Sequence, residues 1–158
     1  MRRFANSPAA RYGLGAGALL LAALLLWLLT SYKLVRVHGA SMEPSLQDGQ
    51  LLLIRRDSSE LQLGDVLVFE KDQQIYIKRV VALPGDCVVE SWEPEYLAVN
   101  GQVLLGDSEP AEDCSSTLIP AGHYFVLGDN HANSIDSRSF EVGLVLQTEI
   151  LGVVCGGA

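Results

Sequence analysis

The chain has 158 residues and a formal net charge of −8, enough for one domain of moderate size and too few for two full ones. The charge is unevenly divided: residues 1–40 carry Arg2, Arg3, Arg11, Lys33 and Arg36 and no acid, whereas residues 41–158 hold all 19 acids against six basic residues, a formal −13. An acidic domain repels phosphate backbones, which excludes nucleic acid as a partner.

The first element in chain order is the apolar run GLGAGALLLAALLLWLLT, Gly13 to Thr30, with no charge in it. At about 1.5 Å per residue it reaches roughly 27 Å, close to the hydrocarbon thickness of a bilayer. Tyr12, Trp27 and Tyr32 supply aromatics near its ends, and three arginines precede it. This pattern predicts a tail over residues 1–12 on the cytoplasmic side, a single-pass transmembrane anchor over 13–32 and an extracytoplasmic domain over 33–158. A cleaved secretory leader is the rival reading. The run is longer than such a segment usually is, and Tyr32, Lys33, Leu34 and Val35 follow it instead of a small-x-small pair. A buried core helix would show one apolar stripe, whereas leucine covers every face here.

Beyond residue 40 the sequence breaks into short apolar runs separated by turn residues. Strands are predicted over Leu51–Arg56, Asp65–Glu70, Ile75–Ala82, Cys87–Glu90, His123–Leu127 and Val145–Val154. LAVNGQVLL, residues 97–105, reads as a hairpin turning at Asn100-Gly101. Glu90–Pro94 and Gly106–Ser116 read as polar surface connectors. The expected fold is mostly β, an antiparallel sandwich or barrel-like domain behind one helix. Cys87, Cys114 and Cys155 lack metal-binding spacing. Cys87 and Cys114, bracketing an irregular segment, are the expected couple if a disulfide forms; three small buried hydrophobes are the alternative.

Three stretches combine Gly and reactive side chains: GASMEPSLQDG (39–49), IYIKRVVALPGD (75–86) and GDNHANSIDSRSF (128–140). Strand alternation sets Tyr76, Lys78, Val80 and Ala82 on one face. Apolar neighbours would desolvate the Lys78 ammonium and lower its pKa, as a general base requires. On its own, that stretch reads better as an edge-strand lysine whose head reaches water. Ser41 on its own reads as a turn or cap residue, and becomes a nucleophile only beside a base. Asp136 and Arg138, two apart, are placed to pair or to clamp another loop. Asn130, Asn133 and Ser134 suit turn positions.

Together, in this order behind a membrane anchor, SMEPSL, YIKRVVALPGD and GDNHANSIDSR resemble the bacterial type I signal peptidase family, over about Gly39 to Phe140. The resemblance implies a serine endopeptidase of the bacterial cytoplasmic membrane that needs no cofactor or metal. It would remove signal peptides from exported preproteins after small residues. Ser41 matches the nucleophile, Lys78 the general base of a Ser-Lys dyad, and Ser134 the residue that orients the lysine. Asp136 and Arg138 match a structural ion pair beneath the site, and Met42 a residue packed against the dyad. Arg79, Asp129 and Asn130 fall within the same motifs, near the site. The oxyanion would be held by the Ser41 N–H and a second donor. In some members that donor is a serine two residues before the nucleophile; here the position is Gly39, where a backbone group is expected to serve. Tyr76 and Val80 are the candidates for lining the specificity pockets. His131 stands where a residue such as arginine is common, and the glycine after Arg138 comes late, at Gly143.

Two further readings lie beside this one. A dedicated processing peptidase for one substrate, such as a conjugative pilin, would share every motif. A non-catalytic tethered β-domain that binds extended peptides would need neither Ser41 nor Lys78. A self-cleaving repressor protease also uses a Ser-Lys dyad, but its DNA-binding domain would stand where the apolar run is.

Overall fold

The computed structural model describes residues 8–92, 95–106 and 115–156, with side chains from residue 17 onward, Trp92 excepted. Helix α1 spans Pro8–Ser31, with proline in the first turn, where its missing N–H costs no hydrogen bond. It begins before the expected anchor does, and residues 1–7 and the side chains of residues 8–16 lie outside the description. Among the described residues, no helix is long and apolar enough to cross a membrane.

The chain then forms eleven strands among the described residues: β1 Tyr32–Arg36, β2 Leu51–Arg55, β3 Val66–Lys71, β4 Gln74–Ala82, β5 Cys87–Trp92, β6 Glu95–Val99, β7 Gln102–Leu105, β8 Ser115–Leu118, β9 His123–Leu127, β10 Val145–Leu146 and β11 Ile150–Val154. All the pairings are antiparallel. One sheet has seven strands in the order β1-β2-β11-β3-β4-β9-β10, and a second has four, β7-β6-β5-β8. The mostly-β expectation holds.

The physical reasons lie in the side-chain patterns. β2 alternates, with Leu52 and Ile54 buried and Leu51 and Leu53 exposed, as a half-covered strand should. β3 is buried along Val66–Phe69 because it is central and covered on both faces. Phe69 stacks on Tyr76 at 5.5 Å between ring centroids, and Leu67, Phe69, Val80, Val126 and Val145 form the main core. Ala82, Val88, Leu97, Phe125 and Leu127 bury the face where the two sheets adjoin. A third cluster holds Val37, Met42, Leu46, Leu52 and Val66.

Several boundaries differ from those read in the sequence. β1 and β8 were not expected as strands: YKLVR has two charges in five residues, and SSTL is polar. Each is recruited by a partner, β2 and β5, rather than by its own pattern. The Glu90–Pro94 connector is mostly strand, since β5 continues to Trp92. The stretch Val145–Val154 is broken by a 3-10 turn at Gln147–Glu149. The Asn100-Gly101 hairpin forms as expected, with both residues at positive φ, but belongs to a four-stranded sheet rather than standing alone. Cys87 and Cys155 carry free thiols; Cys114 lies outside the described residues.

Candidate active site

Ser41 sits on a loop that two side chains plug into the third core cluster. Met42 and Leu46, each 1% exposed, point inward from a turn closed by the Leu46 N–H on the Met42 carbonyl at 2.9 Å. Burying each side chain stabilises the loop by about 1.5–3 kcal/mol. The same turn therefore leaves Ser41 half-buried at the surface of the groove.

Lys78 reaches that serine from β4. Its side chain shares a face with Val80, as alternation predicts, and is only 3% exposed. Nζ of Lys78 and Oγ of Ser41 stand 2.6 Å apart, although 37 residues separate them in the chain. Burial pushes the Lys78 pKa below its ordinary 10.5, against the pull of the Asp136 and Asp129 charges, which favours the ammonium. A lysine whose charged form is disfavoured by burial, set beside a serine hydroxyl, is placed to take its proton.

The loop after β9 locks this arrangement. The Asn130 N–H donates to the Ser41 carbonyl at 3.0 Å, and its side-chain Nδ2 donates to the Ala40 carbonyl at 3.1 Å. Asp129 accepts two hydrogen bonds from Arg79, Nε at 2.8 Å and the terminal nitrogen at 2.6 Å. Burial would raise the Asp129 carboxyl, but these bonds hold it below the usual range. Asp136 is fully buried and accepts from Arg138 Nε at 2.9 Å, from a second Arg138 nitrogen at 3.0 Å and from the Gly128 N–H at 3.0 Å. Its carboxyl, too, is raised by burial and more than offset by these donors, so it stays below 3.8. Arg138 also bonds Glu95 of β6 at 2.7 Å and the His131 carbonyl at 2.8 Å, which ties the smaller sheet to the site.

The remaining expected residues fall as follows. Tyr76 and Met42 line a groove of about 510 Å³ that runs past Ser41 and Lys78, together with Val35–Ala40, Ile75, Ile77, Asn133 and Ile135. Val80 does not line it. This corrects its assignment to a pocket: at 1% exposure it packs into the main core against Leu67 and Val126, because β4 passes from the groove into the sheet interior between Lys78 and Val80. The Ser134 hydroxyl is buried without a hydrogen-bond partner of normal geometry. It lies near enough to Asp136 to help keep that carboxylate charged, and it does not bond Lys78 here. The Gly39 N–H is directed at Asp48 Oδ1, 2.9 Å away; it is therefore engaged and not free as an oxyanion donor.

Gly128 is a residue whose role local sequence reasoning missed. A Cβ there would stand on the Ser134 hydroxyl and the Ser41 carbonyl oxygen, closer than any real contact. Gly128→Ala is expected to destabilise the domain by about 1–3 kcal/mol and to depress activity more than stability, measured as thermal midpoint and cleavage rate side by side. A variant active at the wild-type rate would show that the two loops need not approach so closely.

The chain matches the family described as signal peptidase, peptidase S26 over residues 10–155. It is 34% identical over 139 residues to signal peptidase I of Bacillus caldolyticus, covering 75% of this chain and 74% of the relative. To signal peptidase I V of Bacillus subtilis it is 31% identical over 140 residues, covering 75% and 81%. A solved structure of signal peptidase I from Enterococcus faecalis is 30% identical, covers 60% of this chain and 96% of that one, and gives a TM-score of 0.44. With the family matched over most of its length, the chain belongs to the signal peptidase family S26 and is a serine endopeptidase.

Proposed function

We propose that the protein removes N-terminal signal peptides from exported preproteins, with Ser41 as nucleophile and Lys78 as general base. The observation that carries this is the 2.6 Å approach of Nζ to Oγ at a lysine 3% exposed. Neutral Lys78 accepts the Ser41 proton as Oγ attacks the carbonyl carbon of the scissile bond. The Ser41 N–H stabilises the developing oxyanion. Lys78 then protonates the leaving amine, and water hydrolyses the acyl-enzyme.

The substrate lies extended in the groove. β4 pairs with β3 along Gln74–Arg79, whereas on its other edge the pairing with β9 covers only Arg79–Ala82. The groove-side edge of Ile75–Lys78 thus faces β1, which pairs with β2 on its other edge. A peptide strand laid between them meets backbone partners on both sides. Groove walls of Val35, Val37, Ile75, Ile77 and Ile135 suit small apolar side chains, in line with cleavage after A-x-A sequences.

Helix α1 anchors this site to the bacterial cytoplasmic membrane. Its described part exposes Leu19, Leu20, Leu21, Leu24, Leu25, Leu26 and Leu29 all around, a surface that water disfavours. Trp27 and Tyr32 meet edge-on at 6.2 Å where the helix gives way to β1, as aromatics at a bilayer interface do.

The test is the pH profile. Because burial lowers the Lys78 pKa, kcat/KM should rise with pH as the amine loses its proton, reach a plateau below pH 10.5, and fall about tenfold per unit on the acid side. A rate flat down to strongly acidic pH would remove lysine as the base.

A further inference from the structure

Gly39 holds a backbone φ of +85°, a conformation open to glycine and strained for other residues, two positions before Ser41. The loop around it is fastened at almost every acceptor. Ala40 receives the Glu43 N–H, Ser41 the Asn130 N–H, and Met42 the Leu46 N–H, while the Val37 carbonyl receives the Gly49 N–H. Among the N–H groups, that of Gly39 goes to the carboxylate of Asp48 at 2.9 Å. Among the described residues outside its two chain neighbours, nothing stands within 4 Å of where a Gly39 side chain would begin, so no side-chain packing there holds the residue in its left-handed state. Two side chains thus hold the turn entering the nucleophile: Asp48 takes the Gly39 N–H, and the Asn130 amide donates to the Ala40 carbonyl.

We propose that Asp48 is a positioning residue for the reaction: by accepting the Gly39 N–H, its carboxylate sets the Gly39–Ser41 turn so that the Ser41 N–H and Oγ face the scissile carbonyl. This rests on the reading of Ser41 as nucleophile. It assigns the oxyanion hole one backbone donor from Ser41 and withholds the Gly39 N–H from it. Gly39 and Ala40 also line the groove, but the turn carries the reacting atoms of Ser41, so its loss should act chiefly on turnover and much less on substrate binding. A shift of 1 Å in a reacting group costs up to about a hundredfold in rate.

The experiment compares Asp48→Ala and Asp48→Asn with wild type on a preprotein substrate in detergent, alongside Ser41→Ala. Asp48→Ala should lower kcat by about tenfold to a hundredfold with KM and the thermal midpoint nearly unchanged. Asp48→Asn, whose amide oxygen still accepts, should restore most of the rate. Amide hydrogen exchange on the wild-type protein adds a reading that needs no variant, in which the Gly39 N–H should be protected. Wild-type kcat in Asp48→Ala, an asparagine variant no better than alanine, or a freely exchanging Gly39 N–H would each overturn the proposal. If Ser41→Ala is inactive while Asp48→Ala is fully active, the positioning role alone fails; an active Ser41→Ala removes the nucleophile assignment and this role with it.

Discussion

Replacing Lys78 with alanine is expected to lower preprotein cleavage by at least about a thousandfold, and Ser41→Ala by a similar factor. Both variants should remain folded. Lys78→Ala removes an amine that is 3% exposed and whose charge burial already disfavours, so stability should not suffer as it does when a paired buried ion loses its partner. Two groups that act on one proton are not additive, so the double variant should be no slower than either single one. Lys78→Arg should not rescue, because guanidinium keeps its proton throughout the working range. The readout is initial cleavage rate in detergent beside far-ultraviolet circular dichroism. A Lys78→Ala protein within tenfold of wild type would mean that Ser41 is activated by something else.

The second large effect is on stability. Asp136→Ala should cost about 3–5 kcal/mol, because it strands a largely buried Arg138 and leaves the Gly128 N–H without its acceptor. The thermal midpoint should fall by roughly 10 °C. The acid limb follows with a definite sign. The folded-state carboxyl is held below the unfolded 3.8, so its contribution is present above that pH and is lost as pH falls through the lower, folded value. Asp136→Asn should accordingly flatten the loss of stability in strong acid. It should also move the acid limb of the rate profile to lower pH, since the Asp136 charge raises the Lys78 pKa. Inactivity with an unchanged midpoint would contradict the structural role.

What the sequence disclosed and what it hid divide along the range of the interactions. Lys78 on an apolar strand face was legible because alternation is local, and its burial bears that out. Its 2.6 Å approach to Ser41 was not readable from spacing, because it depends on β4 passing beside a loop whose position Met42 and Leu46 fix through distant core contacts. Val80 misled for the same reason: it shares the Lys78 face, and only the three-dimensional course of β4 separates groove from core. β1 and β8 were invisible in their own residues because their partners impose the strand. Asp48 and Gly128 carried no local signal, one being an ordinary turn aspartate and the other a glycine whose constraint is another loop.

The proposed function is tested most directly by mass spectrometry of a preprotein before and after incubation with the protein in detergent. It predicts two products whose masses sum to the substrate plus one water, cut at a single bond after a small residue, and no cut with Ser41→Ala. An intact preprotein, cuts scattered along the chain, or the same products from Ser41→Ala would contradict it.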